Sequence, residues 1–465
     1  MGSHFKKVGL VLMGALIGFA LTLNFSAVAD RSASLTNGLP VDELKAFTEV
    51  YGRIKSDYVE PVDDKKLLKQ AIIGMVSGLD PHSAYLDQEA YKELQQGTQG
   101  EFGGLGIEVT MDDGLVKVVT PLDDSPASRA GLKTGDLIFK IDNIAVKGMT
   151  LNDAVKHMRG KPGTSIEITV LRKNTPKPLI YTLVRDVIKT KSVTMTTPEK
   201  GYAVIRISQF QERTGEDLAK AIDDLYKKDK GQVKGIVLDL RNNPGGLLNA
   251  AVGVAASFLP KDTLVVYTEG RIADAKMRLT VAPQNYLLSP NSPDYVEGEP
   301  EAAQRVPLVV LVNGGSASAS EIVAGALQDQ HRATIIGTQT FGKGSVQTIL
   351  PLGNNTALKL TTARYFTPSG RSIQAKGIVP DVVVAEPGVI DETLGLHEAD
   401  LEGHLANPND GKNASGAKSS NSTAAISNPM HQMDKKTGKA VKTDSKKDVQ
   451  LDEALSYLKQ HAKDK

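Results

Sequence analysis

One segment, residues 306–347, strongly limits what this chain can fold into. Residues 306–312 form an apolar run that ends in Asn-Gly-Gly, as a buried strand does at a tight turn. The next residues read Ser-Ala-Ser-Ala-Ser-Glu, and Ser318 and Glu321 have the spacing of a helix capping box. Apolar residues then recur at helical spacing, at Ile322, Val323, Ala326 and Leu327. The segment therefore predicts a strand, a turn and a helix, with Ser318 at the helix N-terminus.

A serine at this position has free backbone N–H groups and the positive end of the helix dipole beside it, which favour an oxyanion. It still needs a base, and neither a His-containing signature nor Gly-x-Ser-x-Gly occurs at Ser318. Phe-Gly-Lys-Gly follows instead, with Lys343 between two glycines and Gln347 four residues later. Taken alone, Ser318 is more often a helix cap and Lys343 a solvated charge. Their occurrence together favours a catalytic pair.

These motifs resemble those of the carboxyl-terminal processing proteases, also called tail-specific proteases. The resemblance covers residues 41–405 and implies that Ser318 is the nucleophile, Lys343 the general base and Gln347 the residue that steadies the lysine. It implies a serine-type endopeptidase without cofactor or metal. For Lys343 to act near neutral pH, its pKa must fall from ~10.4 to roughly 7 to 8, which burial can supply.

Composition limits the class of protein. A chain of 465 residues with 40% hydrophobic residues predicts two or three domains. The formal net charge of +1 gives no global attraction to nucleic acid, so none is expected as a partner. The sequence has no cysteine and no His-Glu-x-x-His pair, so neither a disulfide nor a thiolate or zincin metal site is expected.

The N-terminus predicts export. Lys6 and Lys7 precede an apolar run at residues 8–23, and Ala-Val-Ala at 27–29 offers a cleavage site. Residues 1–29 are therefore a signal peptide or a membrane anchor, with cleavage after Ala29 favoured. Either form places the body of the protein outside the cytoplasm, and a periplasmic location is predicted.

Residues 41–100 show two amphipathic helical patterns separated by Pro61. The first stripe contains Leu44, Phe47, Val50, Tyr51 and Ile54, and the second contains Leu67, Leu68, Ala71, Ile72 and Met75. Such a pair packs on its own domain or acts as a dimerisation arm. The resemblance implies that this region, which ends in Leu-Asp-Pro-His-Ser at residues 79–83, takes part in self-association.

Residues 102–185 alternate like short strands, with helical patterns at 125–131 and 151–158 and a last strand at 166–170. This order resembles a PDZ domain. The turn formed by Gly104, Leu105, Gly106 and Ile107 would present backbone N–H groups to a terminal carboxylate, and the strand after it could pair with a peptide. The alternative is a module that only packs against the core.

Residues 190–405 predict the protease core. Buried strands at 202–207 and 235–240 flank a helix, which implies a parallel crossover. Arg-Asn-Asn-Pro-Gly-Gly follows at 241–246, and the resemblance implies that Gly245 or Gly246 supplies one oxyanion donor and Ala319 the other. The glycine motif could instead be only a chain reversal.

Residues 406–447 are polar and predict a flexible linker, and residues 448–465 predict a helix with an apolar stripe. An isolated helix of this length is marginal in water, so it is expected to dock on another subunit or on an adaptor protein.

The whole chain is predicted to be α/β, an α+β multidomain protein in which a PDZ domain is inserted into a crotonase/ClpP-like ββα core with helical N- and C-terminal arms. Its expected function is periplasmic endoproteolysis of unfolded or partly unfolded proteins, recognised by their C-terminal tails. Expected partners are these substrates, further copies of the chain through the N- and C-terminal helices, and a periplasmic adaptor. A non-catalytic PDZ-bearing scaffold or chaperone is the alternative, and an intact Ser318, Lys343 and Gln347 argue against it. A crotonase-like acyl-transfer enzyme is a third reading, disfavoured by the peptide-binding module.

Overall fold

The computed structural model describes residues 40–385, 397–410 and 448–461. The predicted signal segment and most of the predicted linker therefore lie outside the described residues. The chain divides into two compact units, residues 1–74 and 75–465. Within the described ranges, no helix combines the length and the apolar character needed to cross a membrane.

Two helices form at the N-terminal end of the described chain, α1 Val41–Asp57 and α2 Asp64–Ser77. Asp42 and Glu43 lie in the first turn of α1, where they complement the helix dipole. Helix α1 has no buried residue. Its apolar stripe is instead 47–57% exposed, at Val41, Leu44, Phe47 and Val50. Of the predicted stripe, Leu44, Phe47 and Val50 are thus open to solvent, whereas Tyr51 and Ile54 are half-buried.

A short strand and a helix lead into the larger unit, β1 Ala84–Leu86 and α3 Gln88–Gln99. Asp87 caps α3 by accepting a hydrogen bond from Ala90 N at 3.0 Å. The helix ends at Gly100, whose φ of 72° is the left-handed conformation of a helix C-cap.

The PDZ-like module follows. It contains strands and two short helices: β2 Glu101–Gly104, β3 Ile107–Asp112, β4 Leu115–Pro121, α4 Pro126–Arg129, β5 Leu137–Ile141, β6 Ile144–Ala145, α5 Leu151–Met158, β7 Ser165–Leu171, β8 Leu179–Val184 and β9 Asp186–Lys189. The prediction that the strand at 166–170 is the last one was wrong, because β8 and β9 follow it. The main sheet has the order β3-β4-β5-β7-β8, so β3 lies at an edge. Strand β2 pairs antiparallel with β9, which brings the two ends of the module together.

The remaining residues form the core elements, listed in chain order: β10 Val193–Glu199, β11 Tyr202–Ile207, α6 Thr214–Lys228, β12 Gly235–Asp239, α7 Leu248–Ala256, β13 Leu264–Gly270, β14 Arg278–Thr280, α8 Pro283–Tyr286, β15 Leu308–Val312, α9 Ala319–Asp329, β16 Thr334–Gly337, β17 Ser345–Pro351, β18 Ala357–Phe366 and β19 Val382–Val383. The main sheet has the order β10-β11-β12-β15-β16-β19. Strands β11, β12, β15, β16 and β19 are parallel, as the strand–helix–strand order predicted, and β10 is antiparallel at the edge.

Both faces of this sheet are buried, which explains why its strands are continuous apolar runs. One face packs against α6, α7 and α9, through residues such as Leu218, Val252 and Ile322. A second sheet, ordered β1-β18-β13-β14 with β17 on β18, adjoins this core. The antiparallel pairing of β1 with β18 places Ala84 opposite Lys359 and thereby brings Asp80 into contact with Thr361 of β18.

The opposite face of the main sheet is covered by the C-terminal helix, α10 Val449–His461. Ala454, Leu455 and Leu458 are buried there against the strands. The apolar stripe that was expected to dock on another subunit or an adaptor therefore docks on this chain's own sheet. Arg241 reinforces the contact, because its guanidinium donates to both carboxylate oxygens of Asp448 at 2.8 Å.

Candidate active site

The carboxyl ends of two neighbouring parallel strands form the site. Strand β12 runs into loop 241–246, and β15 runs into loop 313–318 and then α9. In parallel α/β sheets the loops at this edge carry functional groups. The structure thus brings Gly245 beside Ser318 and Ala319, although about 70 residues separate them in sequence, while Gly246, the next residue of the loop, contacts the Phe210 backbone.

The two loops are joined by side-chain hydrogen bonds. Asn242 N donates to Asn313 Oδ1 at 2.9 Å, and Asn313 Nδ2 donates to Asn242 Oδ1 at 3.0 Å. Ala317 N and Ser320 Oγ both donate to Asn243 O, at 3.0 and 2.8 Å. These contacts fix the loops relative to each other, as a preorganised oxyanion site requires.

Ser318 occupies an unusual backbone conformation at the start of α9, with φ 54° and ψ −112°. A non-glycine residue in such a region costs about 1–3 kcal/mol, and such residues cluster at functional sites. Ser318 is only 6% exposed. The Tyr365 side chain lies beside it: burial raises the pKa of the Tyr365 phenol to about 12, and a hydrogen bond with the Ser318 side chain opposes that rise.

Gly245 has no room for a side chain. A Cβ there would lie 2.8 Å from the Ser318 Cβ and 2.9 Å from Ala319 N. Its φ of 99° also disfavours other residues. Gly245 N donates to Asn243 Oδ1 at 2.9 Å. Among the described residues, the N–H groups of Gly246 and Ala319 have no such acceptor.

Glu321 connects the backbones of Ser318 and Lys343, a role that its capping-box spacing did not indicate. It is fully buried, and its Oε2 accepts hydrogen bonds from Ser318 N at 2.7 Å and Lys343 N at 2.9 Å. Its Oε1 accepts from Gly342 N at 2.7 Å and Thr340 Oγ1 at 2.5 Å. Burial raises the pKa of Glu321 to about 7, and the four donors oppose this by stabilising the carboxylate. Because the carboxylate accepts from both residues, it fixes the backbones of Ser318 and Lys343 close together.

The Lys343 amine has the low basicity that a neutral base requires. Its pKa falls to about 8, chiefly through burial and secondarily through the charge of Lys359, while Glu398, Glu321 and Asp80 oppose the fall. This pKa is close to the range of roughly 7 to 8 that a lysine needs to act as a base near neutral pH. Nζ donates to Gln347 Oε1, so the predicted contact between these residues exists. No hydrogen bond of the described residues joins the side chains of Lys343 and Ser318.

In the PDZ-like module, the predicted carboxylate-binding turn lies between β2 and β3. Its carbonyls are occupied: Leu105 O accepts from Ala127 N at 3.0 Å, and Gly106 O accepts from Leu122 N at 2.9 Å. The N–H groups of Leu105 and Gly106 have no acceptor within the described chain. Gly104 ends β2 and Ile107 begins edge strand β3, so an added peptide strand could follow directly from the turn.

Known families match three consecutive parts of the chain. A model described as the activating protease CtpB N-terminal domain matches residues 20–90, a PDZ domain model matches 103–180, and the model of peptidase family S41 matches 201–384.

Whole proteins match over most of the length. The chain is 44% identical over 460 residues to a carboxy-terminal-processing protease of Bartonella bacilliformis, covering 98% of this chain and 96% of the relative. It is 36% identical over 392 residues to the carboxy-terminal processing protease CtpA of Bacillus subtilis, covering 83% and 78%. The solved structure of a photosystem II D1 C-terminal processing protease is 32% identical, covers 77% of this chain and 91% of its own, and has a TM-score of 0.40. The chain belongs to the carboxy-terminal processing proteases, PDZ-containing serine peptidases of family S41.

Proposed function

We propose that this protease is a periplasmic endopeptidase that holds the C-terminal tail of an unfolded or partly unfolded protein on its PDZ domain and cleaves it with Ser318 and Lys343. The observation that carries the proposal is the pair of hydrogen bonds that Glu321 Oε2 accepts from Ser318 N and Lys343 N, here called the Glu321 clamp. A buried carboxylate that accepts from the N–H groups of both residues keeps them adjacent, and the depressed pKa of Lys343 supplies a base.

The reaction begins when neutral Lys343 takes the proton of the Ser318 hydroxyl as its oxygen attacks a peptide carbonyl. The negative charge on the carbonyl oxygen is stabilised by N–H groups of Ala319 and of loop 241–246. Gly246 is favoured over Gly245 as the second donor, because the Gly245 N–H already binds Asn243 Oδ1. The lysine then gives its proton to the leaving amine, and water hydrolyses the acyl-enzyme with Lys343 again acting as base.

The substrate tail is proposed to dock with its terminal carboxylate at the turn 104–107. The free N–H groups of Leu105 and Gly106 support this, and edge strand β3 offers its unpaired side to the extended tail. Such a mode selects substrates by an accessible and extended C-terminal tail.

The mechanism is tested by cleavage of an unfolded reporter with an apolar C-terminal tail. Wild type, Ser318→Ala and Lys343→Ala are compared, with Lys376→Ala as the matched control, since Lys376 is exposed and pairs with Asp410. Both active-site variants are expected to lose cleavage while keeping the wild-type circular dichroism spectrum, and the control to retain it. Cleavage by either folded active-site variant would move the chemistry elsewhere.

The location is proposed from residues 1–29, which lie outside the described residues. Osmotic-shock fractionation is expected to release the protein with the periplasmic contents, and mass spectrometry to find Asp30 at its N-terminus. A protein that retains residues 1–29 and sediments with membranes would establish the anchored form.

Self-association is proposed through the exposed stripe of α1, because an apolar helix face of this extent is costly to leave in water. Light scattering during size-exclusion chromatography is expected to give an oligomer for wild type and a smaller species for Phe47→Glu. An adaptor that delivers substrates is a further proposed partner, and co-purification with Ser318→Ala protease would detect it.

A further inference from the structure

A chain of hydrogen bonds leads from the proposed base to a buried carboxylate far away in sequence. Lys343 Nζ donates to Gln347 Oε1. Gln347 Nε2 lies 3.2 Å from Thr361 Oγ1, which lies 3.0 Å from Asp80 Oδ1. Asp80 is 6% exposed and belongs to the Leu-Asp-Pro-His-Ser segment, for which the mechanism has no role so far. The pairing of β1 with β18 brings it next to Thr361.

The direction of each hydrogen bond follows from the chemistry of Asp80. Burial alone would raise the pKa of Asp80, but hydrogen bonds from Ser83, the His82 backbone and Thr361 lower it overall. An ionised carboxylate accepts and cannot donate. The Thr361 hydroxyl therefore donates its only proton to Asp80, and its oxygen accepts a hydrogen bond from Gln347 Nε2.

This direction determines which end of the Gln347 amide faces the lysine. The second Gln347 Nε2 hydrogen goes to Ser345 Oγ at 3.0 Å, a hydroxyl that could equally donate or accept. Of these groups, only the Asp80 carboxylate is restricted to accepting, so it alone sets the donor-to-acceptor direction of the hydrogen bonds. With both amide hydrogens directed at hydroxyls, Gln347 Oε1 is left to accept from Lys343 Nζ.

The orientation affects proton transfer. An amide oxygen binds an N–H of the lysine and leaves the nitrogen lone pair free. A reversed amide would point its own N–H groups at that lone pair, or repel the ammonium form. We propose that Asp80 is a positioning residue of the reaction, which acts through Thr361 to hold the Gln347 amide so that the Lys343 lone pair remains available to Ser318. This inference rests on the proposed Ser318–Lys343 mechanism.

Thr361 is the position at which to test the chain. Asp80 also accepts from Ser83 N, Ser83 Oγ and His82 N, so its replacement could loosen the turn before β1. Thr361→Val removes the hydroxyl while nearly preserving the shape of the side chain, and Thr361→Ser keeps the hydroxyl. The contact of the Thr361 backbone N with Ser83 Oγ, at 3.1 Å, survives in both.

The experiment measures kcat and KM on a peptide substrate for wild type, Thr361→Val, Thr361→Ser, Asp80→Asn and the double variant, with Ser318→Ala as the baseline. Thr361→Val is expected to lower kcat by about tenfold or more with little change in KM, and Thr361→Ser to restore it. The double variant is expected to lose no more than the worse single variant, because both interrupt one chain.

The inference would be overturned if Thr361→Val kept the wild-type kcat, or if Thr361→Ser lost as much kcat as Thr361→Val. Asp80 would then have only a structural role, in the turn before β1. If Asp80→Asn does not fold, the two Thr361 variants decide by themselves. Cleavage by Ser318→Ala would contradict the proposed mechanism instead, so the two failures are distinguishable.

Discussion

Glu321 has four hydrogen-bond donors around it and no exposure to water. Glu321→Ala would leave these donors without an acceptor, at about 1–3 kcal/mol for each buried group that finds no water. We expect the free energy of unfolding to fall by roughly 3 kcal/mol or more, measured by urea denaturation. Glu402→Ala, at an exposed acid, serves as the control and is expected to change it by less than about 0.5 kcal/mol. An equal effect of the two substitutions would contradict the clamp.

In the proposed mechanism the reactive form of Lys343 is the neutral amine, so activity is expected to fall as the lysine takes up a proton. With a pKa of about 8, we expect kcat/KM to rise with pH and level off above about 8. Below that value it should fall about tenfold per pH unit.

Lys359 provides the matched variant for this pH dependence. Its positive charge lowers the pKa of Lys343, so Lys359→Gln removes that effect and raises the pKa. The acidic limb of the kcat/KM profile is expected to move to higher pH. An unmoved limb would mean that another group controls it.

Two glycines, Gly245 beside Ser318 and Gly314 in the loop that precedes it, differ in the space around them. Gly245→Ala would push a methyl group to within 2.8 Å of the Ser318 Cβ, while at Gly314 the nearest atom would be 4.0 Å away. We expect Gly245→Ala to lose about 100-fold or more in kcat, through a displaced oxyanion site, and Gly314→Ala to stay near wild type. Steady-state kinetics would check both, and a fully active Gly245→Ala would argue against loop 241–246 as part of the site.

For single residues, the sequence predicts which residues belong to a motif better than it predicts their contacts. Ser318, Lys343 and Gln347 stand out because they lie close together in one segment. Asp80 and Tyr365 do not, because only the pairing of distant strands brings them to the site. Glu321 was visible as a cap, but its bond to the Lys343 backbone depends on the path of residues 340–343, for which local propensity gives no signal.

Among the secondary-structure elements, α10 offers the sharpest test. Leu458 is fully buried between α10 and the main sheet, whereas Gln460 on the same helix is exposed. Leu458→Ala is expected to reduce the free energy of unfolding by about 2–5 kcal/mol, and Gln460→Ala by less than about 0.5. Denaturant unfolding of the two variants measures this, and equal stabilities would show that the helix is not docked in solution.

Strands and helices of the core were predictable because their periodicity is strong: the parallel β11–α6–β12 unit follows from the apolar runs alone. The partner of α10 was not. An amphipathic stripe indicates that a helix packs on some apolar surface. It does not indicate whether that surface belongs to another chain or to the second face of the same sheet. That face could be recognised only after both sides of β11, β12 and β15 proved to be buried.

For the whole molecule, the PDZ domain is expected to control which chains are cut. Because Gly104 of β2 pairs with Asp186 of β9, the two ends of the domain lie side by side, and residues 105–185 can be replaced by a short turn while the β2–β9 pairing is kept. Wild type should prefer a substrate with a free C-terminal carboxylate over its amide, and the deletion variant should lose this preference. Unchanged cleavage and selectivity after the deletion would refute a role of the domain in recognition or gating.

The order of the motifs predicts an order of domains along the chain, since each module carries its own pattern. The pairing of β1 with β18 could not be predicted from the sequence, because a three-residue strand has no detectable periodicity.

The Glu321 clamp leaves few degrees of freedom for control of the enzyme. The backbones of Ser318 and Lys343 are fixed to one rigid carboxylate, so a motion of the surrounding domains moves them together. What remains adjustable is the four-carbon side chain of Lys343, whose amine, within the described part of the chain, bonds to the Gln347 amide. We therefore expect any change between active and inactive forms to rotate that side chain without opening the core, a motion that is faster than a rearrangement of the fold.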